Sequence, residues 1–168
     1  MRRAISKTQR AALRREALMR VDLFLAIGEF TFEFSQLEFT IRHLLATVLR
    51  LNNKHFDIIT GPYDFAVLCS VAAEAIKRRR GCAPALAAEV ESTFNACKGL
   101  NTHRVRIAHG TWTIGGGARH FSRNSMRADR YFMTPAEITA KAREAQALMN
   151  RVIAILLLPK PAKPKKRH

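Results

Sequence analysis

Apolar residues recur at steps of three and four along four separate segments, and this spacing constrains the fold more than any other feature. The first stripe consists of Ile27, Phe30, Phe34, Leu37, Ile41, Leu44, Leu45 and Val48. Such a period places the apolar side chains on one face of an α-helix, which must be buried against other elements. We expect this long helix to end near Asn52 and Asn53, because asparagine tolerates the left-handed C-cap conformation.

Three further segments repeat this pattern, and glycine and proline separate them. The second helix is predicted from about Tyr63 to the cations before Gly81, which is a natural helix stop. Pro84 opens a third helix, whose stripe consists of Leu86, Val90, Phe94, Cys97, Leu100, Arg104 and Ile107. The last helix begins at the capping box Thr134-Pro135-Ala136-Glu137 and ends at Pro159.

Residues 110–132 differ from the helical segments in composition. Trp112 and Ile114 alternate with threonines, and glycines 115–117 follow, a pattern typical of a short β-hairpin or an extended loop. The sequence thus predicts an all-α fold, a four-helix up-down bundle with a short β-hairpin or extended loop inserted before the last helix. We expect a basic N-terminal helical extension over 1–20, the bundle over 21–158 and a disordered basic tail over 159–168.

The net charge of +16 is concentrated at the two ends of the chain. Residues 1–20 hold seven Lys or Arg and one acid, and residues 159–168 hold five Lys or Arg and no acid. Such ends attract polyanions without sequence preference, which favours nucleic acid as the partner. Two solubilising tails are the alternative explanation for the same charge.

Basic and aromatic residues also interleave in the segment before the last helix. Its cations are Arg119, Arg123, Arg127 and Arg130, and its aromatic residues include Phe121 and Tyr131. This combination suits single-stranded nucleic acid, because cations follow the phosphates while rings stack on the bases. A solvated hairpin whose aromatic residues pack onto the bundle is equally compatible with the pattern.

The cysteines and the apolar runs indicate a cytoplasmic protein. Cys69, Cys82 and Cys97 are odd in number and lack metal-like spacing, which favours a reducing compartment over disulfides or zinc. The apolar run from Val152 to Leu158 is too short to span a bilayer, and the N-terminus lacks the apolar block of a secretory signal. We therefore expect no metal, no cofactor and no membrane partner.

The stretch from Asn101 to Trp112 carries the candidate chemistry. At about 100° per residue, with Leu100 at zero, Arg104 falls near +40° with the core stripe and His109 falls near 180°. A buried guanidinium needs a partner, a cleft or a second subunit. Arg106 points away from the stripe and is predicted to be an ordinary surface cation.

Arginine and histidine together suit phosphodiester chemistry. Arginine binds a phosphate through two hydrogen bonds, and histidine exchanges a proton with a sugar hydroxyl near neutral pH. No serine, cysteine or acid is placed there to form a nucleophile triad, and the chain has no glycine-rich phosphate loop or carboxylate cluster for magnesium. The sharpest enzymatic interpretation is therefore metal-independent phosphodiester cleavage.

Two motifs resemble the HEPN superfamily (higher eukaryotes and prokaryotes nucleotide-binding). One is Arg104-x4-His109-Gly110 following Asn101 on the third helix. The other is the first-helix run Ile27-Gly28-Glu29-Phe30 with Phe34-Ser35-Gln36-Leu37-Glu38, which is similar to HEPN-like bacterial proteins. Together the motifs and the helix order cover most of residues 22–158.

The resemblance implies a metal-independent endoribonuclease that cuts single-stranded RNA by attack of the ribose 2′-hydroxyl, acting as a toxin or defence effector. His109 is implied as the acid/base and Arg104 as the ligand of the scissile phosphate. It also implies a homodimer in which two motifs line one cleft, with an antitoxin protein as a further partner.

The sequence is compatible with several alternatives. Val105 follows Arg104, where active HEPN members usually carry a polar residue, so a non-catalytic module that binds nucleotide, RNA or protein is one alternative. A structural helical dimer is another. Asn101 and His103 are supporting candidates for the site, and Glu29 or Glu33 is a candidate ion-pair partner for Arg104.

Overall fold

The computed structural model describes residues 6–79, 81–113, 117–121, 128–132 and 134–157. Within these ranges the helices are α1 (Lys7–Leu49), α2 (Asn53–Thr60), α3 (Phe65–Lys77), α4 (Pro84–His109) and α5 (Pro135–Leu157), and the strands are β1 (Thr111–Thr113), β2 (Gly117–Phe121) and β3 (Ala128–Arg130). The chain is mostly helical, which confirms the predicted class in its coarse form. None of the described helices has both the length and the apolar character that crossing a membrane requires.

The end of α1 differs from the prediction. Arg50, not an asparagine, takes the left-handed conformation with a φ of 57°, and the Leu51 N–H donates to the Ala46 carbonyl at 2.9 Å. This pair of features is a Schellman C-cap. The left-handed cap expected at Asn52 and Asn53 is therefore wrong.

Asn52 instead starts α2, an element that the sequence pattern did not predict. Its backbone is extended, and its side-chain oxygen accepts a hydrogen bond from the His55 N–H at 3.1 Å. An asparagine in this position satisfies one of the free N–H groups of the first helical turn. Asp64 does the same for α3 by accepting from the Val67 N–H at 2.8 Å, so α3 begins after Tyr63.

The chain divides into two compact units, one formed by Phe34–Asn101 and Glu144–His168. In this unit α1 meets α3 where the rings of Phe34 and Phe65 lie 4.5 Å apart, and α4 meets α5 where Arg151 donates to Glu89 at 2.9 Å. Its fully buried side chains include Leu37, Ile41, Leu45, Leu68, Cys69, Ala72, Val90, Cys97, Ala145 and Val152. These residues confirm the predicted apolar stripes of the four long helices within this unit.

The other unit is formed by Met1–Glu33 and Thr102–Arg143. Its strands pair antiparallel in the order β1-β2-β3, with Trp112 opposite Ala118 and Arg119 opposite Arg130. Among the residues of this unit whose burial is described, the buried apolar ones are Ala26, Phe30, Ile107, Phe132, Ile138 and Ala142. The strands occupy part of the segment for which we predicted a hairpin or an extended loop.

Candidate functional site

Arg104 has an exposed side chain, so the inward position predicted for it is wrong. With Leu100 at zero, the buried positions from Val90 to Leu100 lie between about 0° and +120° on α4. Further along, the buried Ile107 lies near −20° and the half-buried His103 near −60° at about 100° per residue. The buried face rotates along the helix, and Arg104 is left at its solvent edge, where the guanidinium needs no buried partner.

His109 is the last residue of α4 and is also exposed. It follows Arg104 by five residues, which on a regular helix separates the two directions by about 140° and the two positions by about 7.5 Å along the axis. The helix continues through His109, so both residues lie on one uninterrupted helix. Within a single chain, Arg104 and His109 are both accessible but leave the helix on different faces.

The supporting candidates lie in different surroundings. The half-buried ring of His103 lies 5.9 Å from the ring of Phe132. Asn101 belongs to the other unit and is half-buried, and its side-chain oxygen is buried without a hydrogen-bond partner among the described atoms. The structure therefore does not add either residue to a shared site with Arg104 and His109.

Glu29 and Glu33 do not neutralise Arg104. Glu29 accepts a hydrogen bond from the Thr139 hydroxyl at 3.2 Å, which links α1 to α5 within one unit. In the part of the chain that the structure describes, neither glutamate lies within ion-pair distance of Arg104. The predicted pairing is thus not formed.

An aromatic cluster that the sequence did not predict lies beside the end of α4, and we name it the Trp112 cluster (Trp112, Tyr131 and Phe132 with Arg106). The guanidinium of Arg106 lies 3.7 Å from the centroid of the Tyr131 ring. The Trp112 indole N–H donates to the Ile107 carbonyl at 3.1 Å, and its ring stacks on Phe132 at 6.2 Å. Arg106 is therefore a half-buried cation–π partner, not the ordinary surface cation that we predicted.

Helix spacing could not have revealed the Trp112 cluster, because Arg106 and Tyr131 are separated by the whole strand segment. The one signal in the sequence was the aromatic pair Tyr131 and Phe132 just before the last helix. Arg106 and His109 also lie in the last turn of α4, where cations are favoured by the negative end of the helix dipole. Helix stability alone therefore accounts for part of this charge.

The four arginines of the strand segment are only partly placed. Arg119 on β2 and Arg130 on β3 are directly opposite each other in the antiparallel register. Arg123 and Arg127 lie outside the described residues. The prediction that these four arginines bind nucleic acid stays a prediction.

In the described ranges, no group of three or more His, Cys, Asp or Glu side chains is arranged to hold a metal ion. The chain was also compared with protein-family models, curated proteins and solved structures, and it matched none of them.

Proposed function

We propose that this protein binds single-stranded RNA at the end of α4. The observation that carries the proposal is the combination of exposed Arg104 and His109 with the half-buried rings of Trp112 and Tyr131 on the same unit. Cations that bind phosphates next to aromatic rings that stack on bases are the usual components of a single-strand site. The net charge of +16 further favours a polyanion as the ligand.

We further propose that the bound RNA is cleaved without a metal ion, as the HEPN resemblance implies. The 2′-oxygen forms a bond to phosphorus, the bond from phosphorus to the 5′-oxygen breaks, and a 2′,3′-cyclic phosphate results. The proton lost by the 2′-hydroxyl ends on the leaving 5′-oxygen, and His109 carries it. Arg104 binds the phosphate and offsets the charge that develops on it.

Two chains supply this site. Arg104 and His109 diverge by about 140° on one helix, which supports pairing Arg104 of one chain with His109 of a second chain. The HEPN resemblance implies the same arrangement, on a four-helix up-down bundle. A homodimer is thus part of the proposal.

A non-catalytic RNA-binding module is the second candidate. It is favoured by Val105, a half-buried apolar residue at the position where active HEPN members usually carry a polar side chain. A module of this kind needs Arg104 and the Trp112 cluster for binding and has no use for the proton exchange of His109.

The two candidates separate in an assay with a labelled single-stranded RNA in the presence of EDTA. The ribonuclease gives cleavage that survives the chelator, leaves cyclic phosphate ends and falls about 10²–10⁴-fold in His109→Ala. Arg104→Ala also abolishes cleavage, because the scissile phosphate loses its ligand. His55→Ala and Arg78→Ala are matched controls, since both side chains are exposed and lie on the other unit.

Each result of this assay has a definite meaning. Salt-sensitive binding without cleavage, weakened in Arg104→Ala and Arg106→Ala, assigns the non-catalytic module. Cleavage that persists in His109→Ala places the active site elsewhere. The absence of binding to any RNA contradicts the proposed function as a whole.

A further inference from the structure

The last turn of α4 carries two basic side chains, Arg106 and His109, on neighbouring positions of one face. They are three residues apart, so on a regular helix their directions differ by about 60° and their Cβ atoms lie about 5–6 Å apart. Arg104, by contrast, diverges from His109 by about 140°. Of the two arginines of α4, Arg106 is therefore the one that converges with His109 within a single chain.

The ring of Tyr131 holds the Arg106 guanidinium in place. The guanidinium carbon lies 3.7 Å from the ring centroid, well inside the range of about 6 Å over which a cation–π contact is significant. Tyr131 comes directly after β3, so the ring reaches α4 from a separate element. Both side chains are half-buried. An arginine positioned in this way loses less conformational freedom when it binds a ligand.

The guanidinium of Arg106 keeps hydrogen-bonding capacity that the protein does not use. It has five N–H donors, and none of them forms a hydrogen bond or an ion pair in the part of the chain that the structure describes. Arginines near a helix end often donate to the last carbonyls, but the Ile107 carbonyl accepts from the Trp112 indole N–H at 3.1 Å. None of the Arg106 nitrogens is among the described buried atoms that lack a partner, so these donors are open to an external acceptor.

A phosphate is the acceptor that fits this arrangement. Two parallel guanidinium N–H groups match two phosphate oxygens. The negative end of the α4 dipole opposes an anion with only about half an elementary charge, whereas Arg106 supplies a full positive charge in the same turn. In the described ranges no Asp or Glu pairs with Arg106 or His109 and competes for them. Helix stability explains a cation at this position, but not a guanidinium held on a ring with its donors unpaired.

We propose that Arg106 binds a phosphate of the RNA directly beside His109 of the same chain, and that Tyr131 positions its guanidinium. The inference rests on the proposed function for the identity of the ligand. It adds to Arg104 a second phosphate ligand, which comes from the chain that supplies His109. His109 then acts on a nucleotide that its own chain already holds, while Arg104 comes from the second chain.

The test compares arginine variants in binding to a labelled 2′-O-methyl oligouridine, which cannot be cleaved by 2′-hydroxyl attack. Arg106→Gln lowers the affinity by roughly tenfold or more. It also lowers the slope of log K against log salt by about 0.7, the share of one phosphate contact on a single strand. Arg20→Gln is the matched control, because Arg20 lies over the Phe24 ring at 5.5 Å in the same unit but has no histidine within four residues. It leaves affinity and slope nearly unchanged.

The positioning role of Tyr131 is tested separately. Tyr131→Phe keeps the ring and retains the wild-type affinity, whereas Tyr131→Leu lowers it severalfold. Because Tyr131 acts through Arg106, Tyr131→Leu has no further effect in an Arg106→Gln background. A further loss in that background means that the ring stacks on a base itself and overturns the positioning role. Urea denaturation of each variant shows that the losses do not come from unfolding.

Failure of this inference differs from failure of the RNA proposal. If Arg104→Gln weakens binding but Arg106→Gln does no more than Arg20→Gln, the inference is overturned and the RNA proposal stands. If Arg106→Gln weakens binding and Arg104→Gln does not, the inference is supported and the role of Arg104 is contradicted. A wild-type protein that binds no oligonucleotide overturns both.

Mixing of variant chains tests whether Arg106 and His109 belong to one site in the same chain. With a cleavable RNA, a mixture of Arg106→Gln and His109→Ala chains regains no cleavage, because no chain holds both residues. A mixture of Arg104→Gln and His109→Ala chains regains part of it, because Arg104 comes from the partner. Cleavage regained in the first mixture overturns the same-chain arrangement.

Discussion

Two buried thiols face each other between α3 and α4. Cys69 and Cys97 are both fully buried, and a hydrogen bond between them, together with burial, raises the pKa of the Cys69 thiol far above its usual range. Cys69 therefore stays protonated at neutral pH. Because the thiolate is the reactive form, we expect Cys69 to be inert in the folded protein.

Burial of Cys69 and Cys97 predicts that only one of the three cysteine thiols reacts in the folded protein. In the native protein an aromatic disulfide reagent modifies Cys82, which is half-exposed, and the two buried cysteines react only after unfolding. Raising the pH toward alkaline values leaves Cys69 unreactive, because its pKa is raised and the thiolate stays scarce. The released chromophore is followed by absorbance, and Cys82→Ser removes the fast phase. Rapid modification of a second thiol in the native state contradicts the burial of this pair.

Arg104 and Arg106 show how well residue spacing predicts the position of a single side chain. A helical wheel assumes that the core lies in one direction along the whole helix, and for Val90 to Leu100 that assumption holds. The assumption fails near the end of α4, where the buried face rotates to Ile107. The wheel therefore predicts an inward Arg104, whereas the structure has this residue exposed. The contact of Arg106 with Tyr131 depends on the path of the intervening segment, which residue spacing does not encode.

At the scale of elements, local signals predicted helix starts better than helix ends. Proline in the first turn fixed α4 at Pro84 and α5 at Pro135, because both the ring geometry and the missing N–H suit that position. The end of α1 depends on which residue takes the left-handed conformation. That residue is Arg50, and arginine seldom has a positive φ, so the sequence carries no signal for this C-cap. The short helix α2 has too few residues to show a clear apolar period.

Replacing either of two exposed glycines by alanine is expected to change the stability of the protein, but in opposite directions. A methyl group on Gly99 in α4 meets nothing within 4 Å, whereas on Gly61 it lies 2.5 Å from the Asp57 carbonyl oxygen. We expect Gly99→Ala to raise the free energy of unfolding by about 1 kcal/mol, because alanine restricts the unfolded chain more. Gly61→Ala lowers it by roughly 1 kcal/mol or more, because the carbonyl must shift.

Urea denaturation followed by circular dichroism measures both changes. Each glycine variant serves as the control for the other, since the substitution is the same and both sites lie in one unit. A stabilising Gly61→Ala, or a destabilising Gly99→Ala, contradicts the packing described at that site.

At the scale of the whole molecule, charge is distributed far from evenly. Residues 159–168 alone supply five of the 29 Lys and Arg residues. Phosphate contacts from such residues release counterions, which makes binding steeply dependent on salt and insensitive to base sequence. The basic end is therefore expected to add affinity for RNA without adding specificity.

Replacing these five basic residues by glutamine tests that expectation. If all five contact phosphates, the slope of log K against log salt for a single strand falls by about 3.5, while preference among RNA sequences is unchanged. A control with the order of the ten residues reversed keeps the charge and retains the wild-type slope. An unchanged slope in the glutamine variant shows that the segment only solubilises the protein. Fluorescence anisotropy at several salt concentrations gives the slopes.

Trp112 has a consequence for how ligand binding can be observed. It is the only tryptophan in the sequence. Its indole N–H donates a hydrogen bond to the Ile107 carbonyl, and its ring stacks on Phe132. Tryptophan emission therefore reports on the last turn of α4 and not on the chain in general. The protein thus contains an intrinsic fluorophore a few residues from Arg104 and His109, so that titrations at this helix end need no added label.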